Sequence, residues 1–153
     1  MIPENELRYH HWANVRLLKH ISHLDSEVFI KNVKSVFPSL SAVFEHIYNV
    51  DQLWIQRMLG TNDISQGIKF ETPLMAVQCF ERNFQQLIEI RTKGGMVYYQ
   101  NSKGESFQNK IEEILRHLIN HGTYHRGNVS AILHQLGEKS ISTDYIFFLR
   151  ETE

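Results

Sequence analysis

Residues 110–137, KIEEILRHLINHGTYHRGNVSAILHQLG, hold an apolar stripe at Ile114, Leu118, His121, His125, Val129, Ile132 and Leu136 that advances in steps of three and four. Such spacing stays on one side of a 3.6-residue helix. The segment therefore predicts one long helix with a face that other elements must cover. Two members of the stripe are not aliphatic. His121 and His125 are four apart, so their rings leave neighbouring turns of the same face and can converge on one cation. An i,i+4 pair supplies only two ligands, and such pairs arise by chance in a chain with nine histidines. Placement within an apolar stripe matters more, because a buried imidazole needs partners for both ring nitrogens.

The rest of the chain supplies the covering elements. A first helix is expected from about Glu4 to Leu24, with Leu7, His11, Val15, Leu18 and Ile21 on its inner side. His10, His11, His20 and His23 crowd this segment and read as polar or boundary residues, since none has a partner visible in the sequence. Phe37-Pro38 forces a break, because a residue before proline avoids the helical conformation. Ser39 then caps a second helix over about Leu40–Leu59, ended by Gly60. Its inner side reads Leu40, Val43, Phe44, Ile47, Val50, Leu53, Trp54 and Met58. Residues 60–71 form a polar connection. Thr72-Pro73 opens a third helix running to about Lys93, with Leu74, Val77, Phe80, Phe84, Leu87, Ile88 and Arg91 inward and Gly94-Gly95 as its stop. MVYYQ and ESFQ around Asn101-Ser102-Lys103-Gly104 predict a β-hairpin. Asn109 and Glu112 resemble a capping box for the long helix, and Gly137 closes it. The apolar run Tyr145–Leu149 is expected to fold back onto the helices.

At 153 residues and 18.0 kDa, the chain suits a single domain over 1–153 with a substantial core. Lys plus Arg number 16 against 17 Asp plus Glu, with neither sign gathered into a block, so no nucleic-acid or membrane partner is indicated. The single cysteine, Cys79, excludes an intramolecular disulfide and a thiolate-built zinc site, and reads as inert core filler. No segment approaches the ~18 apolar residues of a membrane span, and the expectation is a cytoplasmic protein.

Four long helices with short connections make an all-α, four-helix bundle the economical fold, with a short β-hairpin between helices three and four. His46 on the second helix shares a stripe with Val43, Val50 and Leu53, as His121 and His125 do with their aliphatic neighbours. Together the three would offer neutral nitrogen donors and leave a position for water or substrate. Imidazoles suit zinc, nickel, iron or copper and do not choose among them. Other metal plans fail on ligand type: a zincin needs His-Glu-x-x-His, whereas residues 121–125 read HGTYH, and no helix supplies the Glu-x-x-His pairs of a di-metal bundle. His117, one turn before His121, is either an entrance residue or a helix-packing one.

The run HLINHGTYHRGNVSAILHQLG, with His121, His125, Arg126, Gly127 and Asn128, resembles the motif of the DinB family of damage-inducible bacterial proteins. HIYNVDQLW around His46, YHHWANVRLL in the first helix and TDYIFFLRE near the end extend the resemblance over nearly the whole chain. It implies a four-helix bundle, a homodimer, and a divalent metal, nickel or zinc with iron as a further option, held at His46, His121 and His125. Asn128 departs from the glutamine usual in the family pattern. Tyr124 and Arg126 belong to the motif but lie on a different helical face. Related branches include transferases that use low-molecular-weight thiols, which suggests a thiol S-transferase in which the metal activates the thiol for a small-molecule substrate. The alternatives are a metal-dependent hydrolase and a non-catalytic metal-binding stress-response protein.

Overall fold

The computed structural model describes residues 1–61 and 67–151. The described residues form five helices, α1 (Glu4–Ser22), α2 (Leu40–Leu59), α3 (Pro73–Lys93), α4 (Ile111–Gln135) and α5 (Tyr145–Glu151), with a hairpin of β1 (Met96–Gln100) and β2 (Ser106–Lys110) between α3 and α4. The four long helices pack on one another, and the all-α bundle with its hairpin is the architecture expected. None of the helices is long and apolar enough to cross a membrane among the described residues.

Local chemistry explains the boundaries. The Ser39 hydroxyl accepts from the Ala42 N–H at the start of α2, and the Thr72 hydroxyl accepts from Met75 N–H at the start of α3, satisfying donors that a first turn leaves free. Gly60 ends α2 at φ 70°, a backbone state that favours glycine. The hairpin pairs Met96 with Lys110 through Gln100 with Ser106 in antiparallel register. The start of α4 differs from expectation. The N-cap is Lys110, and Glu113 rather than Glu112 reaches back to the Lys110 N–H at 2.9 Å. Asn109, still in the strand, donates to the same carboxylate. The paired strand fixes Asn109 in extended conformation, so the helix opens one residue later.

The apolar interior forms two clusters. One contains Leu17, Leu18, Phe29, Phe44, Phe80, Val129 and Ile132; the other contains Leu7, Ile55, Leu87, Leu115, Leu118 and Phe148. Each such side chain contributes about 1.5–3 kcal/mol through burial. The short helix α5 adds to the second cluster, where Phe148 packs against Tyr9 and Trp12.

Between the clusters lies a polar waist to which all four long helices contribute. His10 is 3% exposed and donates from Nε2 to Oδ2 of Asp51, 1% exposed, at 3.0 Å. Asn14, Asn83 and Arg126 are buried at the same level, and Gln52 donates to Asn83 Oδ1. His10 is thus a core residue rather than a boundary one. Its partner is 41 positions away, beyond any local pattern. His11 stacks on Phe84 with centroids 4.6 Å apart and meets the Glu81 carboxylate at 3.0 Å.

The waist also rotates three expected inner faces. Leu53 is 45% exposed, while Asp51 and Ile55 take the interior of α2. Leu74 is exposed, with Ala76, Cys79 and Asn83 inside α3. Val15 is only half-buried, and Ala13, Asn14 and Leu17 point inward from α1. Of the 60–71 connection, residues 62–66 lie outside the described residues. Its second part is pinned to α2 by Glu45, which accepts from Phe70 N–H at 2.9 Å and from Lys69 Nζ.

At Gly122, α4 closely approaches the His10 ring of α1. A Cβ there would stand 2.5 Å from His10 Cε1 and 2.8 Å from Arg126 Nη1, whereas one at Gly127 would meet nothing within 4 Å. Gly122→Ala should therefore destabilise the fold by about 1–3 kcal/mol through overpacking, and Gly127→Ala should be neutral or stabilising by up to about 1 kcal/mol. Urea unfolding of the two variants checks the contrast, and similar midpoints would refute it.

Candidate metal centre

His46 enters from α2, and His121 and His125 enter from successive turns of α4. The Nε2 of His46 is 3.1 Å from Nε2 of His121 and 3.1 Å from Nε2 of His125. All three potential donor atoms lie within 4.8 Å of one another. Nitrogens bound to a tetrahedral zinc at 2.0–2.1 Å stand roughly 3.3 Å apart. The three imidazoles therefore have the spacing of ligands on one side of an ion. Among the described residues, the cluster contains no carboxylate or thiolate, so its donor set is all nitrogen and suits a borderline divalent ion.

Tautomer and charge agree with this. The Asn128 side-chain oxygen can only accept, and it lies 3.1 Å from His125 Nδ1. That assigns the ring proton to Nδ1 and leaves the Nε2 lone pair facing the other two rings. The shorter amide at this position thus orients a ring. Burial pulls the His121 pKa down to about 4, helped by His125, His46, His117 and His10; burial and His125 lower that of His46. Neutral imidazoles can turn their Nε2 lone pairs to a common cation, which protonated rings cannot do. His121 Nδ1 is buried without a protein partner among the described residues.

The surroundings are largely aromatic. Phe37 lies 5.3 Å, centroid to centroid, from both His46 and His125. Tyr124, 75% exposed, meets His125 edge-on at 5.0 Å. Phe37 escaped the sequence reading because it belongs to the irregular segment before α2; its only signal was the adjacent Pro38. His117 does not join the three. It is exposed, 5.9 Å from His121 and 5.6 Å from Trp54 between ring centroids. It lines a cavity of about 330 Å³ with Trp54, Tyr99, Asn109, Glu113 and Ile114. Arg126 turns away into the waist, where its Nη1 donates to Asn14 Oδ1 at 3.0 Å. His20 and His23 bond to backbone oxygens, those of Lys139 and Lys19 respectively.

A helical bundle with three inward histidines from two facing helices defines a class of metal-site scaffold, and the comparison with known proteins specifies it. The chain belongs to the DinB family, whose model matches residues 3–153. It is 32% identical over 158 aligned residues to Protein DinB of Bacillus subtilis (strain 168), covering 95% of this chain and 92% of that one.

The depressed His121 pKa has a testable sign. Between 6.5 and about 4, the unfolded chain takes up a proton that folded, metal-free His121 refuses, so stability falls as pH drops through this window. Half-exposure of the ring and solvent screening keep the effect modest. Denaturant midpoints of metal-free protein across this range should fall less steeply for His121→Gln than for the wild type. Parallel curves would remove His121 as the source.

Proposed function

We propose that His46, His121 and His125 hold a divalent metal, nickel or zinc, and that the protein is a metal-dependent S-transferase for a low-molecular-weight thiol. The observation that carries this reading is the convergence of three Nε2 atoms at 3.1 Å separations across α2 and α4. A bound divalent ion with an open position supplies Lewis acidity that lowers the pKa of a thiol placed there. Asn128 keeps the His125 ring in the donating orientation. Phe37 forms an apolar wall beside two of the rings, limiting water at the site.

The nucleophile has to come from outside the chain. Cys79 is buried in the aromatic cluster with Phe44 and Phe80, and its Sγ is contacted by Arg82 at 3.0 Å. An incoming thiol loses its proton to solvent, its sulfur bonds to the electrophilic carbon, and the leaving group departs with the bonding pair. The cavity beside His117 offers the Trp54 indole and the Tyr99 ring as a surface for the electrophile. A homodimer belongs to the same reading and rests on the family resemblance, while a single domain and a cytoplasmic location are proposed from the chain's length and its single cysteine.

Elemental analysis of untagged protein should find about one nickel or zinc per chain, the occupancy that one three-nitrogen site implies. Ala at position 46, 121 or 125 should each abolish tight binding, and His23→Ala, far from the cluster in contacts, should retain it. Equal metal in all four variants would sink the site. Metal-loaded protein should then turn over alkyl or aryl electrophiles only with an added thiol. Turnover of esters or amides without thiol would replace transfer by hydrolysis, and a loaded protein inert to both would leave a metal-binding protein without catalysis.

A further inference from the structure

The polar waist encloses a small cavity between α1, α2 and α3. Its polar lining is His10, His11, Asn14, Asp51 and Asn83, and the remainder is leucine and phenylalanine. The room for the centre of a water-sized molecule is about 10 Å³. A single water needs about 10–15 Å³ on that measure, so the cavity has the size of one small molecule and no more.

Asn14, Asp51 and Asn83 are each 1% exposed or less. Each keeps one side-chain atom without a partner among the described residues: Nδ2 of Asn14, Oδ1 of Asp51 and Nδ2 of Asn83. His11 keeps its Nδ1 in the same state. In all four residues the other polar atom is engaged by a neighbour. Asn14 Oδ1 accepts from Arg126 Nη1, Asp51 Oδ2 from His10 Nε2, and Asn83 Oδ1 from Gln52 Nε2. His11 Nε2 meets the Glu81 carboxylate at 3.0 Å.

Those bonds assign the atoms that remain. A guanidinium only donates, so the Asn14 atom facing Arg126 is oxygen and its free group is the NH2. Gln52 gives Asn83 the same orientation. The carboxylate of Glu81 holds the His11 proton on Nε2, which leaves a lone pair on Nδ1. Burial lowers the His11 pKa and favours the neutral ring. His10 Nδ1 is turned elsewhere, 2.7 Å from the position that a Cβ on Gly122 would take. The cavity thus gathers two donors, on Asn14 and Asn83, and two acceptors, on Asp51 and His11.

This set selects its ligand. A metal ion or an ammonium offers nothing for the two NH2 groups to donate to, and a halide would face the Asp51 carboxylate. Water both donates and accepts, and a buried water makes two to four hydrogen bonds. We propose that one water molecule is bound in this cavity, accepting from Nδ2 of Asn14 and Asn83 and donating to Asp51 Oδ1 and His11 Nδ1. It joins α1, α2 and α3 at the level of the waist. The site is separate from the three histidines and does not rest on a metal being bound there.

Water contacts in solution test this on the full chain labelled with 15N-asparagine. The side-chain NH2 protons of Asn14 and Asn83 should show rotating-frame cross-peaks to water with the sign of dipolar contact, opposite to that of proton exchange. Asn83→Leu puts hydrocarbon in the place of one donor and should abolish the Asn14 cross-peak. A crystal structure of the wild type tests the site without any variant: an isolated density peak should stand within about 3.2 Å of both Nδ2 atoms and of Asp51 Oδ1. Wild-type amides without water cross-peaks, or an Asn14 cross-peak that survives in folded Asn83→Leu, overturn the proposal. So does a crystal structure in which Asn14 or Asn83 donates directly to Asp51. A density peak that acquires the anomalous signal of bromide, when bromide replaces chloride, overturns water in favour of a halide.

Discussion

Helices α1 and α4 meet where the His10 ring occupies the space a side chain at Gly122 would need. Arg126, one turn further along α4, reaches Asn14 of α1 from the same side. These two contacts set the rotation of α4 about its axis. In a helix, adjacent residues are turned by about 100° from each other. With Gly122 and Arg126 committed to α1, the preceding residues His121 and His125 are presented to α2, where His46 waits. The convergence of the three histidines is thus a consequence of how closely α4 can approach a neighbour that is not itself part of the cluster.

The polar waist gives that docking its register. His10 and Asn14 on α1, Asp51 on α2, Asn83 on α3 and Arg126 on α4 lie at one level, with aliphatic and aromatic clusters on either side. A slip of one turn in any helix would set such a group against hydrocarbon, at a cost of about 1–3 kcal/mol for each lost hydrogen-bond partner and more for a charge. The waist and the histidine cluster occupy neighbouring turns of α2 and α4. Burial there lowers the His121 pKa and keeps the ring neutral, as a nitrogen donor must be. One arrangement therefore fixes register and prepares ligands.

The helices were legible because their signals are local. Ser39, Gly60, Thr72-Pro73 and Gly94 act on backbone groups a few residues away, and each bounds a helix where the sequence indicates. The hairpin was legible for the same reason, from β-favouring runs about a glycine turn. The three histidines stood out because they broke apolar periodicity, and they meet as the shared stripes imply. What was misread depends on partners far along the chain. His10 looked like a boundary residue because Asp51 is on another helix, and Leu53 looked buried because Asp51 was not counted as an interior residue.

By itself, the sequence determined the four long helices, their order, the hairpin and the three histidines, since each follows from backbone geometry and the spacing of apolar positions within one element; that the run Tyr145–Leu149 is helical was not read from it. Only the tertiary structure decided which way the helices face. A wide apolar stripe is compatible with several rotations, and the choice among them came from Gly122 against His10 and from pairings that cross between helices. The same docking made Asn128 a partner of His125, drew Phe37 over the site, and enclosed a polar cavity between α1, α2 and α3. Those features depend on distances between segments, which periodicity along one segment does not encode.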